Sequence, residues 1–85
     1  MPVYYYQGQA ITDVKEWCRA HNEEVVIVQW RRSSPRLVPT DKGARMEMRE
    51  WVEEEEIPAP IWQGISSSMN GDQLGLAKVI ARYRP

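Results

Sequence analysis

The stretch Glu24-Val25-Val26-Ile27-Val28-Gln29-Trp30-Arg31 decides the fold of this chain, because it is the clearest β-strand in the sequence. Val25 and Ile27 alternate with Val26 and Val28, so both sides of the strand are apolar. A strand of this kind is typical of the middle of a sheet whose two faces are covered. We therefore predict that residues 24–31 form a central strand.

Two segments of the chain resemble each other loosely. Lys15-Glu16-Trp17 precedes the strand that ends in Trp30, and Arg49-Glu50-Trp51 precedes Pro60-Ile61-Trp62. Each segment reads as the end of a helix, an acidic junction and a short apolar strand with a second Trp. Two such units predict a pseudo-symmetric α+β sandwich in which Trp side chains fix the helices onto a sheet.

Local patterns before residue 40 predict three further elements. Residues 3–7 are β-prone, and Thr12 is expected to cap a helix that ends near His21, with Asn22 as a left-handed stop. Ser33-Ser34-Pro35 is expected to break the central strand, and residues 36–38 to form a brief edge strand.

After residue 40 we expect a helix and then a hairpin. Thr40 or Asp41 is predicted to cap a helix that runs to about Glu54, and two prolines follow it. Residues 61–66 and 74–83 are predicted to pair around an Asn70-Gly71 turn, with a helix over 74–83 as the alternative.

These elements predict a single domain over residues 1–85, a small two-layer α+β sandwich of order β-α-β-(β)-α-β-β. That order is ferredoxin-like and implies a mainly antiparallel sheet with two helices on one face. One sheet face is then left partly bare, so homodimerisation or a protein partner is the natural hypothesis. The predicted core is Val14, Trp17, Val26, Val28, Met48, Trp51, Ile61 and Ile80.

Composition limits the classes of function. The chain has 42% hydrophobic and 27% charged residues, which is ordinary globular composition. The single cysteine, Cys18, excludes an internal disulfide framework, and no segment reads as a signal peptide or a membrane span. We therefore expect a cytoplasmic protein. Its net charge of −1 is too acidic to favour bulk attraction of nucleic acid.

Catalytic and metal chemistry find little support in the sequence. Cys18 and His21 lie three apart on a predicted helix, but no further Cys or His completes a zinc site, and burial explains Cys18 better. Pro2 after Met1, ahead of a β-α-β pattern, resembles the layout of the tautomerase superfamily, which implies an N-terminal proline acting as a base. The predicted helix is shorter than the helix of that family. We expect no enzyme and no cofactor, and keep a tautomerase-like enzyme as the remote alternative.

Two binding functions remain. The favoured interpretation is a small non-catalytic protein-interaction module, a regulator, adaptor or phage-type inhibitor that docks through charged and aromatic patches. The candidate contact residues are Trp30, Arg31, Arg32 and Arg36 on one patch and Glu53, Glu54, Glu55 and Glu56 on another, the acidic run being placed at the C-terminal end of the second helix. The alternative is a single-stranded nucleic-acid platform on the sheet, built from Tyr4, Tyr6, Trp30 and Tyr83 with Arg31, Arg32, Arg36 and Arg82.

Overall fold

A computed structural model describes residues 3–85 as an α+β fold with a mainly antiparallel sheet. Its elements are β1 (Tyr4–Tyr6), β2 (Gln9–Ile11), α1 (Val14–Ala20), β3 (Val25–Thr40), β4 (Gly43–Pro58), α2 (Ala59–Ser68), α3 (Gly71–Leu74) and β5 (Ala77–Tyr83). β1 and β2 form a two-stranded hairpin, and the larger sheet has the strand order β4-β3-β5. The predicted ferredoxin-like order is not confirmed, since the observed order is β-β-α-β-β-α-α-β.

The β3–β4 hairpin dominates the molecule. Each strand has 16 residues, and the pairs run without interruption from Val25↔Pro58 to Thr40↔Gly43. Gly43 leaves the turn at a φ of 121°, which side chains other than glycine rarely allow. Because β5 pairs only with residues 25–30, residues 31–52 continue as two strands alone, and we call them the arm. The arm accounts for the elongated shape, 58 × 26 × 24 Å.

The predicted break at Ser33-Ser34-Pro35 is wrong, and the register explains why. Successive residues of an antiparallel strand direct their backbone groups alternately toward the partner and away from it. Arg31 points away from β4, since its N–H donates to the Leu76 carbonyl at 2.8 Å. Pro35 and Pro39 have the same parity as Arg31, so the N–H that proline lacks is not needed for pairing with β4.

The predicted helix from Thr40 or Asp41 to Glu54 is also wrong, because residues 43–58 form β4. Met, Glu and Arg are good helix formers, but intrinsic propensity amounts to less than about 1 kcal/mol per residue, and continuous pairing with β3 overrides it. The element predicted for the following segment is wrong as well. Pro58 and Pro60 begin a helix, α2, where a strand was expected. The near-repeat therefore holds only for its first copy.

The remaining local predictions have mixed outcomes. The first strand and the first helix are confirmed, although Asp13 rather than Thr12 caps α1 by accepting from the Glu16 N–H. The expected Asn70-Gly71 turn is wrong, since Asn70 caps α3 in a reciprocal capping box with Gln73. The strand interpretation of the last segment is confirmed for residues 77–83 by β5, whereas Leu74 belongs to α3.

The core lies at the base of the long hairpin, as the central-strand prediction requires. Val26, Val28 and Ile57 are fully buried and pack with Trp62 of α2. Val25 on the other face is also fully buried, so that face is covered at the base of the hairpin. The predicted placement of both helices on one face is not confirmed either. Lys15 of α1 forms an ion pair at 3.8 Å with Glu56 on the face of Val25, whereas α2 packs on the opposite face.

Of the predicted core residues, only those of β3 are fully buried. Val26 and Val28 confirm the prediction. Val14, Trp17, Trp51 and Ile61 are half-buried, and Met48 and Ile80 are exposed. Met48 fails because it lies on the arm, where no other element covers it.

Candidate interaction surfaces

One face of the arm is apolar and uncovered. Opposite residues of an antiparallel pair share a face, which places Leu37 with Met46 and Pro35 with Met48. Val52 follows on the same face nearer the base. The side chains Leu37, Met46, Met48 and Val52 are between 54% and 65% exposed. We call these four residues and Pro35 the apolar face.

The opposite face of the arm carries arginines. Arg32 lies across from Trp51, and Arg36 across from Glu47. The guanidinium of Arg49 lies 5.4 Å from the centre of the Trp51 ring. We call Arg32, Arg36, Arg45, Arg49 and Trp51 the arginine face.

The two predicted contact patches do not form separate surfaces. Glu53–Glu56 belong to β4, directly across from residues 27–30, so the acidic helix end was wrongly predicted. Arg32 Nε donates to Glu53 Oε2 at 3.3 Å, and Trp30 Nε1 donates to Glu55 Oε2 at 2.8 Å. Two carboxylates of the acidic run therefore accept hydrogen bonds from side chains of the opposite strand.

The surroundings of these carboxyl groups shift the pKa of two of them in opposite directions. The bond from Trp51 Nε1, at 2.8 Å, and that from Arg32 hold the pKa of Glu53 below its usual range. Partial burial raises the pKa of Glu55, because desolvation penalises its charged form. Glu55 is thus the carboxylate whose charge costs folding free energy.

Glu55→Gln should make the protein more stable at pH 7. Because the pKa of Glu55 is raised in the folded state, the protein loses stability as pH rises through that pKa and Glu55 becomes charged. A glutamine amide avoids this loss and still accepts the hydrogen bond from Trp30 Nε1. We expect a gain of at most about 1 kcal/mol, since solvent screens a half-buried group. Urea unfolding measured against pH should show the gain fading as the solution is acidified. Glu54→Gln, at an exposed position, is the control, and an equal gain there would contradict the assignment.

The predicted nucleic-acid platform is not assembled. Trp30 and Tyr4 pack against the core cluster, and the Trp30 ring meets Trp62 edge-on at 6.0 Å. Tyr6 packs edge-on against Trp17 at 5.4 Å. These rings serve packing between elements, so the sheet offers no shared aromatic surface at these positions.

Cys18 and His21 are not brought together. Cys18 is fully buried, its Sγ lies 3.5 Å from the Glu24 carbonyl, and burial raises the pKa of its thiol. His21 stacks on Trp17 at 4.2 Å, and its Nδ1 lies 2.8 Å from the Trp17 carbonyl oxygen. Pro2, the basis of the tautomerase resemblance, lies outside the described residues.

Residues 3–85 contain neither a metal-binding cluster nor a membrane-spanning helix. Over residues 3–85, His, Cys, Asp and Glu side chains nowhere gather in the groups of three that would hold a metal ion. Within the same range, the helices are too short or too polar to cross a bilayer.

The helix predicted from Thr40 or Asp41 to about Glu54 does not identify the exposed side chains of the arm. Met46, Met48 and Trp51 fall within that predicted helix, so their exposure on a strand is not predicted. Ala44, Met46 and Met48 alternate with Arg45 and Glu47, a period of two that is typical of a strand with one polar face. That alternation was the available signal.

Comparison with known proteins adds no relative. The chain matches no protein-family model, no curated protein and no solved structure. What the protein does must therefore be inferred from its own residues, and the arm offers the most distinctive of them.

Proposed function

We propose that this chain is a small non-catalytic protein-interaction module of the cytoplasm, a regulator, adaptor or phage-type inhibitor, and that the arm is the part that docks. The observation that carries the proposal is the apolar face. Leu37, Met46 and Met48 lie in neighbouring cross-strand pairs and are exposed on a projecting two-stranded ribbon, and Val52 is exposed on the same face beyond the Ser33↔Glu50 pair. Contiguous apolar patches of a few hundred Å² are typical of interaction sites on soluble proteins.

The energetics of the arm support the same proposal. A two-stranded hairpin without a third strand or a covering helix is only marginally stable in water. Nothing in residues 3–85 covers the apolar face, so a partner that buries it supplies the missing layer. Met and Leu side chains each contribute about 1.5–3 kcal/mol when they are fully buried.

The occupant that fits best is a second copy of the chain. Arg31 and Glu50 lie toward the base of the arm, and Asp41 and Lys42 lie at its tip. Two copies packed face to face and antiparallel bring the base of one arm to the tip of the other, which matches Arg31 with Asp41 and Glu50 with Lys42. None of these four side chains forms an ion pair within residues 3–85.

Met46→Glu combined with Met48→Glu should convert a dimer into a monomer. A two-fold interface counts each change twice, so we expect the dimer to weaken more than about hundredfold, as burial energies of this size imply. Sedimentation equilibrium measures the change. Ser34→Glu with Val38→Glu adds the same charge to the opposite face and should leave the dimer intact.

Cross-linking in the host separates the second copy from other proteins. A photo-reactive side chain at Met46 should give a product with the mass of two chains, whereas the same group at exposed Lys78 should not. A product with a different protein would replace the second copy as occupant. Absence of any protein product from position 46 would contradict the interaction function itself.

A further inference from the structure

The arginine face has a regularity that the linear sequence hides. Four consecutive cross-strand pairs on this face each contain one arginine. They are Arg32↔Trp51, Ser34↔Arg49, Arg36↔Glu47 and Val38↔Arg45. Neighbouring pairs on one face lie two residues apart along the strand, or about 7 Å. The result is a row of four arginines along the arm whose positions alternate between the two strands.

Part of this row is free to bind a ligand. Arg32 pairs with Glu53 and Arg45 with Glu47, whereas Arg36 and Arg49 form no ion pair within residues 3–85. Both of these side chains are exposed. The row therefore keeps an uncompensated positive charge at its centre.

The arm as a whole is also basic, in contrast to the chain. Residues 31–52 contain six basic side chains, Arg31, Arg32, Arg36, Lys42, Arg45 and Arg49, against three acidic ones, Asp41, Glu47 and Glu50. The acidic run Glu53–Glu56 begins immediately beyond this segment. An extended anion is therefore attracted to the arm and repelled from its base.

We propose that the arginine face binds single-stranded nucleic acid, with phosphates along the arginine row and a base stacked on Trp51. Trp51 is half-exposed and lies next to Arg32 and Arg49, the combination of aromatic surface and positive charge that single-strand binders use. The row suits a ligand whose charges repeat along a flexible chain. The site lies opposite the apolar face, so the proposal does not depend on the proposed function.

Trp51 is what distinguishes nucleic acid from an acidic protein segment. Both ligands satisfy Arg36 and Arg49 by charge, but only a nucleic acid presents a flat base for every phosphate. Loss of the Trp51 ring should therefore weaken the binding of nucleic acid strongly and the binding of an acidic peptide only slightly.

The test uses a fluorescein-labelled 20-nucleotide oligo(dT) and fluorescence anisotropy at several salt concentrations. We expect Arg36→Ala with Arg49→Ala to weaken binding at least tenfold and to reduce the log–log salt slope by about 1.4, since each phosphate contact on a single strand contributes about 0.7. Trp51→Ala should weaken binding about five- to hundredfold. Arg19→Ala with Lys78→Ala removes two charges from exposed positions off the arm and should change neither quantity. Circular dichroism confirms that each variant is folded.

Three results would overturn the inference. They are absence of oligo(dT) binding at low salt, equal weakening by the control pair, and tighter binding of a 20-residue polyglutamate that is insensitive to Trp51→Ala. The last result would assign the row to an acidic protein. Met46→Glu with Met48→Glu serves as a further control, because loss of the dimer with oligo(dT) binding retained shows that the two faces act separately.

Discussion

Trp62→Ala should lower the free energy of unfolding by about 3–5 kcal/mol, the usual cost of removing a large aromatic side chain from a core. Trp62 is only 8% exposed and packs with Val26, Val28 and Ile57. It is also the ring that meets Trp30 edge-on. A chain of 85 residues is expected to have about 4–13 kcal/mol in total, so this single change removes a large share of it.

Urea unfolding followed by far-UV circular dichroism measures the loss. Trp51→Ala is the matched control, because it removes the same side chain from the arm, where Trp51 is half-exposed and is not part of the buried cluster. We expect the control to lose less than about 1 kcal/mol, as surface substitutions do. Equal losses in the two variants would contradict the placement of the core at the base of the hairpin.

Removal of most of the arm should abolish both proposed binding activities while the base stays folded. Residues 33–50 can be replaced by Asn-Gly, so that a two-residue turn connects Arg32 to Trp51. That pair has the same parity as Thr40↔Gly43, which closes the natural turn, so a two-residue turn fits at either place. The buried cluster contains no residue of the deleted segment.

We expect the shortened protein to unfold cooperatively, with a free energy of unfolding within about 1 kcal/mol of the full chain, since the arm buries little apolar surface. Sedimentation should show a monomer, and oligo(dT) should no longer bind. A shortened protein that fails to fold would show that the arm contributes to the core. Retained dimerisation or retained oligo(dT) binding would place that activity elsewhere in the chain.

The sequence was sufficient for the base of the fold but not for the arm. The apolar alternation at Val25–Val28 correctly predicted a central strand, because burial on both faces leaves a local signature. The Ser33-Ser34-Pro35 break and the helix after residue 40 were wrong for a different reason. Whether a proline interrupts a sheet depends on which way its nitrogen points, and that is set by pairing with residues far along the chain.

The candidate site shows the same limit. Arg31, Arg32 and Arg36 were singled out as contact residues, but Arg45 and Arg49 were assigned to a helix. Only the β3–β4 register places Arg49 between Arg32 and Arg36 in the row. Glu53 and Glu55 were expected to dock a partner, yet their hydrogen-bond donors come from the same hairpin. Such contacts depend on pairing between strands that the sequence alone did not predict.

Pro35 and Pro39 both direct their backbone nitrogens away from β4, and this limits which edge of the arm can pair with a further strand. Beyond β5, the outer side of β3 lacks N–H donors at Pro35 and Pro39, so an added strand would find gaps in its hydrogen bonding. The outer side of β4 has no proline between Gly43 and Ile57. Strand addition to the arm is therefore one-sided, and edge-to-edge pairing through β4 should close at two copies, because the β3 edges on the outside accept no further strand.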